Sequence, residues 1–519
     1  MTSGIAAILA IGLGLFHLYT AYAGLLTAMW QRSIHITAIM MIIYLTVSFI
    51  GKDARHESVG ERIVNIFLAL ASLAAGLYII ISFNDLLNRL GNPNEMDIFF
   101  GAMCIVLLLE ATRRAIGWQL PLIAIIFIVF AYTGPYLPGW FAHKGFSTPR
   151  IVSHLYLTTE GIFGLPLGVS ASYIMLFVIF GQILEKSGGG QFFIDFAYGI
   201  AGRSRGGPAK AAIVASSLFG TMSGSSVANV VTTGTFTIPL MKKTGYKPFY
   251  AGAVEAVASS GGLIMPPIMG AGAFVMAEIT GIAYSDIVIA AFLPAILLYF
   301  SIFAQVDFEA GKEKLKPLSK EELPNLKEAL MKRGHMMLPL LILIYFLMIK
   351  RTSPMPAGLW AVVITVAIGM IKPLTRMNLK GFFGGLINAG KSMMPVATAC
   401  ACSGLIIGVI SLTGVGLKFS NIIVEIAQGN IIVALVLVMI STIILGMGVP
   451  PTASYIVMST LGAPSLVQMG VPMLPAHLFI FYFAAFANIT PPVALAAYAA
   501  SGVAGSNPMR TGFQAFKLG

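Results

Sequence analysis

Four short clusters carry the residues best suited to chemistry, and none of them holds a charge. They are Thr221, Ser223, Gly224, Ser225 and Ser226 with Asn229; Gly261 and Gly262 ahead of Pro266 and Pro267; Gly446, Gly448, Pro450 and Thr452; and Asn488, Thr490 and Pro491 with Pro492. A proline inside a helix removes the N–H that would pair with the carbonyl four residues earlier. Pro266 and Pro267 should therefore free the carbonyls of Gly262 and Leu263, and Pro491 and Pro492 those of Ala487 and Asn488. Bare carbonyls beside Ser, Thr and Asn oxygens make a neutral, hard-ligand cage, which suits sodium. The ligands expected are Ser223, Ser225, Gly262, Gly446, Asn488 and Thr490, with a proton as the alternative coupling ion. Half-helix N-termini beside such breaks offer positive dipole ends to an anionic substrate. No organic cofactor is expected.

The clusters belong to a repeat. SGGG at 187–190, FGTMSGSS at 219–226 and MPP at 265–267 return as TGVG at 413–416, LGMGVPPT at 445–452 and TPP at 490–492. Matching landmarks (Gly188 to Gly414, Gly220 to Gly446, Pro266 to Pro491) are 226, 226 and 225 residues apart. Each copy reads as a helix, a short arm, an interruption rich in Gly, Ser or Pro, and a helix broken at Pro-Pro. Copy one carries Lys186, Arg203, Arg205, Lys210, Lys242, Lys243 and Lys247, whereas 427–434 and 467–472 of copy two carry no charge. By the positive-inside rule the copies are inverted in a membrane, as in secondary transporters. Lys52, Arg55, Arg113 and Arg114 fall inside on the same count; Lys350 and Arg351 are the exception.

Composition requires that membrane. Of 519 residues 57% are hydrophobic and 10% charged, against about 25% charged in a typical soluble protein. Apolar runs predict spans near 5–27, 34–50, 63–83, 98–116, 120–138, 171–185, 286–305, 336–349, 357–371 and 391–411. The segments 209–281 and 431–505 are apolar but interrupted. Taken as a hairpin, 209–240 has arms of about 12 residues, ~18 Å each, which places Ser223–Ser226 near the bilayer midplane. Residues 307–335 hold 7 Lys/Arg and 6 Asp/Glu and read as a solvated or surface-lying cytoplasmic loop. The first apolar run is long enough to span, so a cleaved signal peptide is not expected.

Several function classes drop out. Three cysteines and seven scattered histidines give no disulfide framework and no zinc set. The +12 net charge sits in short loops, a topology signal, so nucleic acid is not expected. GLINAGKS at 385–392 matches the phosphate-loop pattern, but it opens an apolar span and lacks the strand such a loop needs, so no nucleotide is expected. No paired catalytic carboxylates or nucleophile–base pair support an enzyme. Glu110 with Arg113 and Arg114 reads as an interfacial anchor. Glu255 lies in the first broken helix with Phe481 as its counterpart, and either a structural ion pair or a tuning, proton-linked role fits it.

Residues 206–278, with 446–455 and 486–505, closely resemble the large membrane subunit of TRAP (tripartite ATP-independent periplasmic) transporters. LLLEATRRAIG at 107–117 looks like the small membrane subunit fused in front, as in TAXI-type permeases. The resemblance implies an all-α, inverted-repeat, elevator-type transporter with two re-entrant hairpins. It divides the chain into scaffold helices at 1–164 and a transport region at 165–519, with repeats at about 171–305 and 391–519. It further implies sodium-coupled uptake of a small organic anion, usually a carboxylate, delivered by a TAXI-type periplasmic binding protein. The location would be the inner membrane, with a cytoplasmic N-terminus. Related fusions continue past the point equivalent to Gly519 into a further hydrophobic segment; the sequence here stops at AFKLG. A stand-alone sodium- or proton-coupled carrier is the alternative reading.

Overall fold

The computed structural model describes residues 2–49, 58–89, 91–315, 317–318, 321 and 323–519, without the side chains of residues 2, 3, 87 and 223. Lys52 and Arg55 lie outside the described residues, as does the side chain of Ser223. Helices account for nearly all of the rest. Seven of them are long and apolar enough to cross a bilayer, among them Gly4–Ala23, Leu165–Lys186, Tyr284–Lys312 and Leu379–Thr413. The expected spans at 34–50 and 98–116 form Ala28–Thr46 and Glu95–Ile116. Neither is among the seven: polar residues such as Gln31, Arg32 and His35 lower the hydropathy of the first, and the second carries Glu95, Asp97, Glu110, Arg113 and Arg114.

Buried polar contacts fix the N-terminal helices to one another. Asp97 accepts hydrogen bonds from Tyr78 Oη (2.6 Å), Arg89 Nε (2.8 Å) and the Asn94 N–H (2.9 Å), and the last closes a capping box at the start of Glu95–Ile116. Replacing Asp97 with alanine leaves an arginine, a phenol and a helix end without their acceptor. The expected loss is about 2 kcal/mol of stability, read as a lower unfolding midpoint of the purified protein in detergent. An unchanged midpoint would remove Asp97 from this role.

The repeat is plain in the backbone. Gly188 and Gly414 take the same left-handed turn ahead of the short arms Gly189–Ala201 and Val415–Ala427. Each copy then has a helical hairpin, Gly207–Ser223 with Ser226–Lys243 and Ile431–Gly446 with Pro451–Leu461. A broken helix follows in each: Pro248–Gly261, a 3-10 turn at Gly262–Ile264, then Ala271–Thr280; and Met473–Phe486, a 3-10 turn at Ala487–Ile489, then Leu495–Ala504. The copies interlock. Pro248–Gly261 packs on Leu495–Ala504, and reciprocally Ala271–Thr280 packs on Met473–Phe486 and Pro451–Leu461.

Two expectations need correction. The first hairpin's arms are 17 and 18 residues, about 26 Å each, not 12 residues and 18 Å. Helix starts at Gly207 with Pro208 in its first turn and runs on through Lys242 and Lys243, because charged side chains beyond an apolar run do not end a helix. Likewise the charged stretch is not all loop. Asp307–Lys312 completes the long helix from Tyr284, and Leu326–Arg333 is a short helix. Its acids meet the first repeat's basic residues: Asp307 pairs with Arg205 and with Lys210 (2.7 Å), and Glu313 with Lys247 (2.6 Å). One charged face thus gathers the residues that set the expected topology.

Candidate ion and substrate site

The hairpin tips meet in one cavity of about 560 Å³. Gly224, Ser225 and Ser226 reach it from the first tip, Pro450, Pro451 and Thr452 from the second, and Asn488 and Leu495 from the second broken helix. Pro395 and Val396 of Leu379–Thr413 and Ala115 and Ile116 at the end of Glu95–Ile116 close the wall. A smaller chamber of about 150 Å³ shares Gly224, Ser225 and Pro395 and extends to Met269, Ala271 and Glu185. Three half-helices, Ser226–Lys243, Pro451–Leu461 and Leu495–Ala504, begin at the larger cavity, and Ala271–Thr280 begins at the smaller. Free N–H groups and positive dipole ends therefore collect at the larger cavity, whose lining residues carry no charge, while the smaller one has Glu185 on its wall.

The tip turns because Gly224 takes φ 63°, a left-handed conformation that side chains resist. Ser225 Oγ then accepts from the Ala228 N–H and caps the second arm. The two repeats are joined here: Asn488 Nδ2 donates to Ser226 Oγ at 2.8 Å.

Behind each tip lies a mirrored close contact. A Cβ on Gly220 would sit 2.7 Å from Gly262 Cα and 2.9 Å from Asn229 Nδ2. In copy two a Cβ on Gly446 would sit 2.6 Å from Ala487 Cβ and 2.9 Å from Ser454 Oγ. Gly262 and Gly446 thus belong to two related positions, one per repeat, while Ser225 and Asn488 face the shared cavity. The positions differ in polarity. Asn229 fills the first, donating to the Ser216 carbonyl at 2.8 Å and accepting from Thr233 Oγ1. In the second, the shorter Ser454 leaves its buried Oγ without a partner, and the buried Asn488 Oδ1 lacks one too. Sequence reasoning missed Ser454; the 225-residue offset from Asn229 would have pointed to it.

The freed carbonyls are less bare than the prolines imply. Gly262 O accepts from the Met265 N–H (3.3 Å), Leu263 O from Gly270 (2.6 Å) and Ala487 O from Thr490 (3.2 Å), because the chain folds back through a 3-10 turn instead of continuing straight. Thr490 Oγ1 donates to the Phe486 carbonyl within its own helix. Gly261 packs near Tyr299, and Gly448, at φ 80°, faces the Gln119 side chain. Pro266–Pro267 and Pro491–Pro492 sit in the breaks, with Thr221 buried one turn before the first tip. GLINAGKS runs within the continuous helix Leu379–Thr413, with no loop to hold a phosphate.

A helical chain with duplicated hairpins and broken helices around an internal cavity has the build of a membrane transporter. The family described as "Tripartite ATP-independent periplasmic transporter, DctM component" matches residues 103–518, and the chain belongs to it: it is a multi-pass permease of the TRAP class. The chain is similar to the C4-dicarboxylate TRAP transporter large permease protein DctM of Pseudomonas aeruginosa, 24% identical over 332 residues, covering 64% of this chain and 77% of that one. It is also similar to the isethionate TRAP transporter permease protein DctMQ of Oleidesulfovibrio alaskensis, 23% identical over 354 residues, covering 64% and 52%. Among solved structures, the YdaH transporter of Alcanivorax borkumensis has a similar fold, with a TM-score of 0.53 and 14% identity over 80% of this chain and 94% of that one.

Proposed function

We propose that this permease carries out sodium-coupled uptake of a small organic anion across the inner membrane, with a periplasmic binding protein of the TAXI type delivering the substrate. The observation that carries the reading is the cavity between the two tips, where three helix N-termini converge without a fixed negative charge on the wall. Such a wall attracts carboxylate or sulfonate groups, and the relatives' names specify anions, a C4-dicarboxylate and isethionate. Sodium is the coupling ion because the buried, unpartnered Ser454 Oγ lies by the Gly446–Ala487 contact and the buried, unpartnered Asn488 Oδ1 belongs to the residue after Ala487, so that both offer neutral oxygen ligands. The hairpins act as re-entrant elements of an elevator, moving against a scaffold to which the fused, small-subunit-like N-terminal helices belong; the N-terminus is cytoplasmic.

The test is uptake into proteoliposomes containing the full-length chain. With the cognate binding protein and an inward sodium gradient, a labelled small carboxylate should accumulate; without either, it should not. Accumulation without the binding protein would make the protein a stand-alone carrier. Accumulation indifferent to sodium would remove the sodium assignment.

A further inference from the structure

We infer that Glu255 is a proton-binding site of the transporter, an ion position confined to the first repeat. It rests on the assignment as a transporter and goes beyond the sodium reading. Glu255 is fully buried in the middle of Pro248–Gly261. Its Oε1 accepts from Ser216 Oγ (2.6 Å), Thr233 Oγ1 (2.5 Å) and Ser259 Oγ (3.3 Å), and its Oε2 from Thr237 Oγ1 (2.6 Å). Among the described residues no Lys, Arg or His pairs with it, so the ion-pair role is not the one the structure builds.

Lys210, at the start of the first hairpin, is paired with Asp307 of Tyr284–Lys312, and Lys242 donates to the Ala504 carbonyl. Lys243 stands beside Lys242 in the last turn of the second arm. Glu309 is near the end of the long helix, Asp286 at its start, and Lys517 in the last turn of Pro508–Leu518. Arg510 of that helix stacks over Phe249, and His477 of Met473–Phe486 bonds Tyr455. Tyr198 and Tyr299 are the titratable groups that feel the carboxylate; Tyr299 donates to the Ala258 carbonyl.

A buried carboxylate with only hydroxyl donors is expensive to keep ionised. The cage accommodates either state. When ionised, Glu255 accepts from all four hydroxyls. When one proton binds, the carboxylic O–H donates to Thr233 Oγ1, and Thr233 turns its own hydrogen to the Asn229 carbonyl 2.9 Å away. Asn229 ties the two arms through Ser216 O, and its N–H donates to Ser225 O at the tip. One proton taken up on one side and released on the other would thus reverse the Glu255–Thr233 bond and move the Thr233 hydrogen onto or off the carbonyl of Asn229, the residue tied to the tip.

Packing does not demand the carboxylate. The structure matches Pro248–Gly261 to Met473–Phe486 at an offset of 225, so the counterpart of Glu255 is Ile480 and not Phe481, and Ile480 is also fully buried. A site that the fold fills with an aliphatic side chain in one copy, and with an acid plus a hydroxyl cage in the other, has been specialised.

Infrared difference spectroscopy of the full-length protein in liposomes, between acid and alkaline pH, tests this. The wild type should lose a carboxylic-acid carbonyl band and gain carboxylate bands as pH rises. The other carboxyls titrate in both proteins, so Glu255→Gln should remove one component of the change, and Thr233→Val should move that component's pH midpoint. In uptake with the binding protein, an inward proton gradient should accelerate the wild type and not Glu255→Gln, while any sodium-driven component remains. Should Glu255→Gln fail to fold, an unmoved midpoint in Thr233→Val overturns the inference. So does a difference spectrum of Glu255→Gln identical to that of the wild type, or equal acceleration of both proteins. Sodium-independent uptake with a band that titrates at Glu255 would sink only the sodium assignment.

Discussion

Asn488→Ala should raise the sodium concentration for half-maximal uptake about tenfold or more, equivalent to ~1.4 kcal/mol or more of lost ion binding. Two consequences of one truncation combine to give this size. The variant loses the unpartnered Oδ1 offered to the cation, and it loses the Nδ2 donor that holds Ser226 Oγ at the other repeat's tip. Ser225→Ala should have a smaller effect in the same direction, since its Oγ already caps the Ala228 N–H. Measuring initial uptake rates against sodium at fixed substrate and binding protein checks both. An unaltered sodium dependence in Asn488→Ala would move the ion away from the second repeat's break.

Gly262→Ala should abolish transport while the protein still inserts and purifies at reduced stability. The added methyl would lie 2.6 Å from Gly220 Cα, and the obstacle is backbone, which no rotamer change can relieve. Overpacking of this kind costs about 1–3 kcal/mol, and here the strain enters the contact that seats the first tip. Gly446→Ala meets Ala487 Cβ at the same distance, so it should behave alike. Uptake and unfolding midpoints measured together separate the two effects. Wild-type rates from Gly262→Ala would show that the tip does not depend on this approach.

The sequence made the repeat, the breaks and most spans legible because each rests on local chemistry: apolar length, Pro-Pro, and Gly-Ser runs. Ser223 ends one helix and Ser226 begins the next, as the interruption at Gly224 requires. What failed depended on partners distant in the chain. Missing N–H groups at Pro266 and Pro491 do imply unpaired carbonyls, but only if the chain continues straight, and the 3-10 turns bring the Met265, Gly270 and Thr490 N–H groups back. The bond from Asn229 to Ser216 was not legible either, because it comes from packing between the arms. The charged stretch looked like a loop because its pairing with Arg205, Lys210 and Lys247 spans 102, 97 and 66 residues.

The crossed packing of the two copies has an evolutionary corollary. Pro248–Gly261 rests on Leu495–Ala504, and Ala271–Thr280 on Met473–Phe486, so each duplicate completes the interior of the other. Drift on either side of these contacts is therefore answerable to the opposite half.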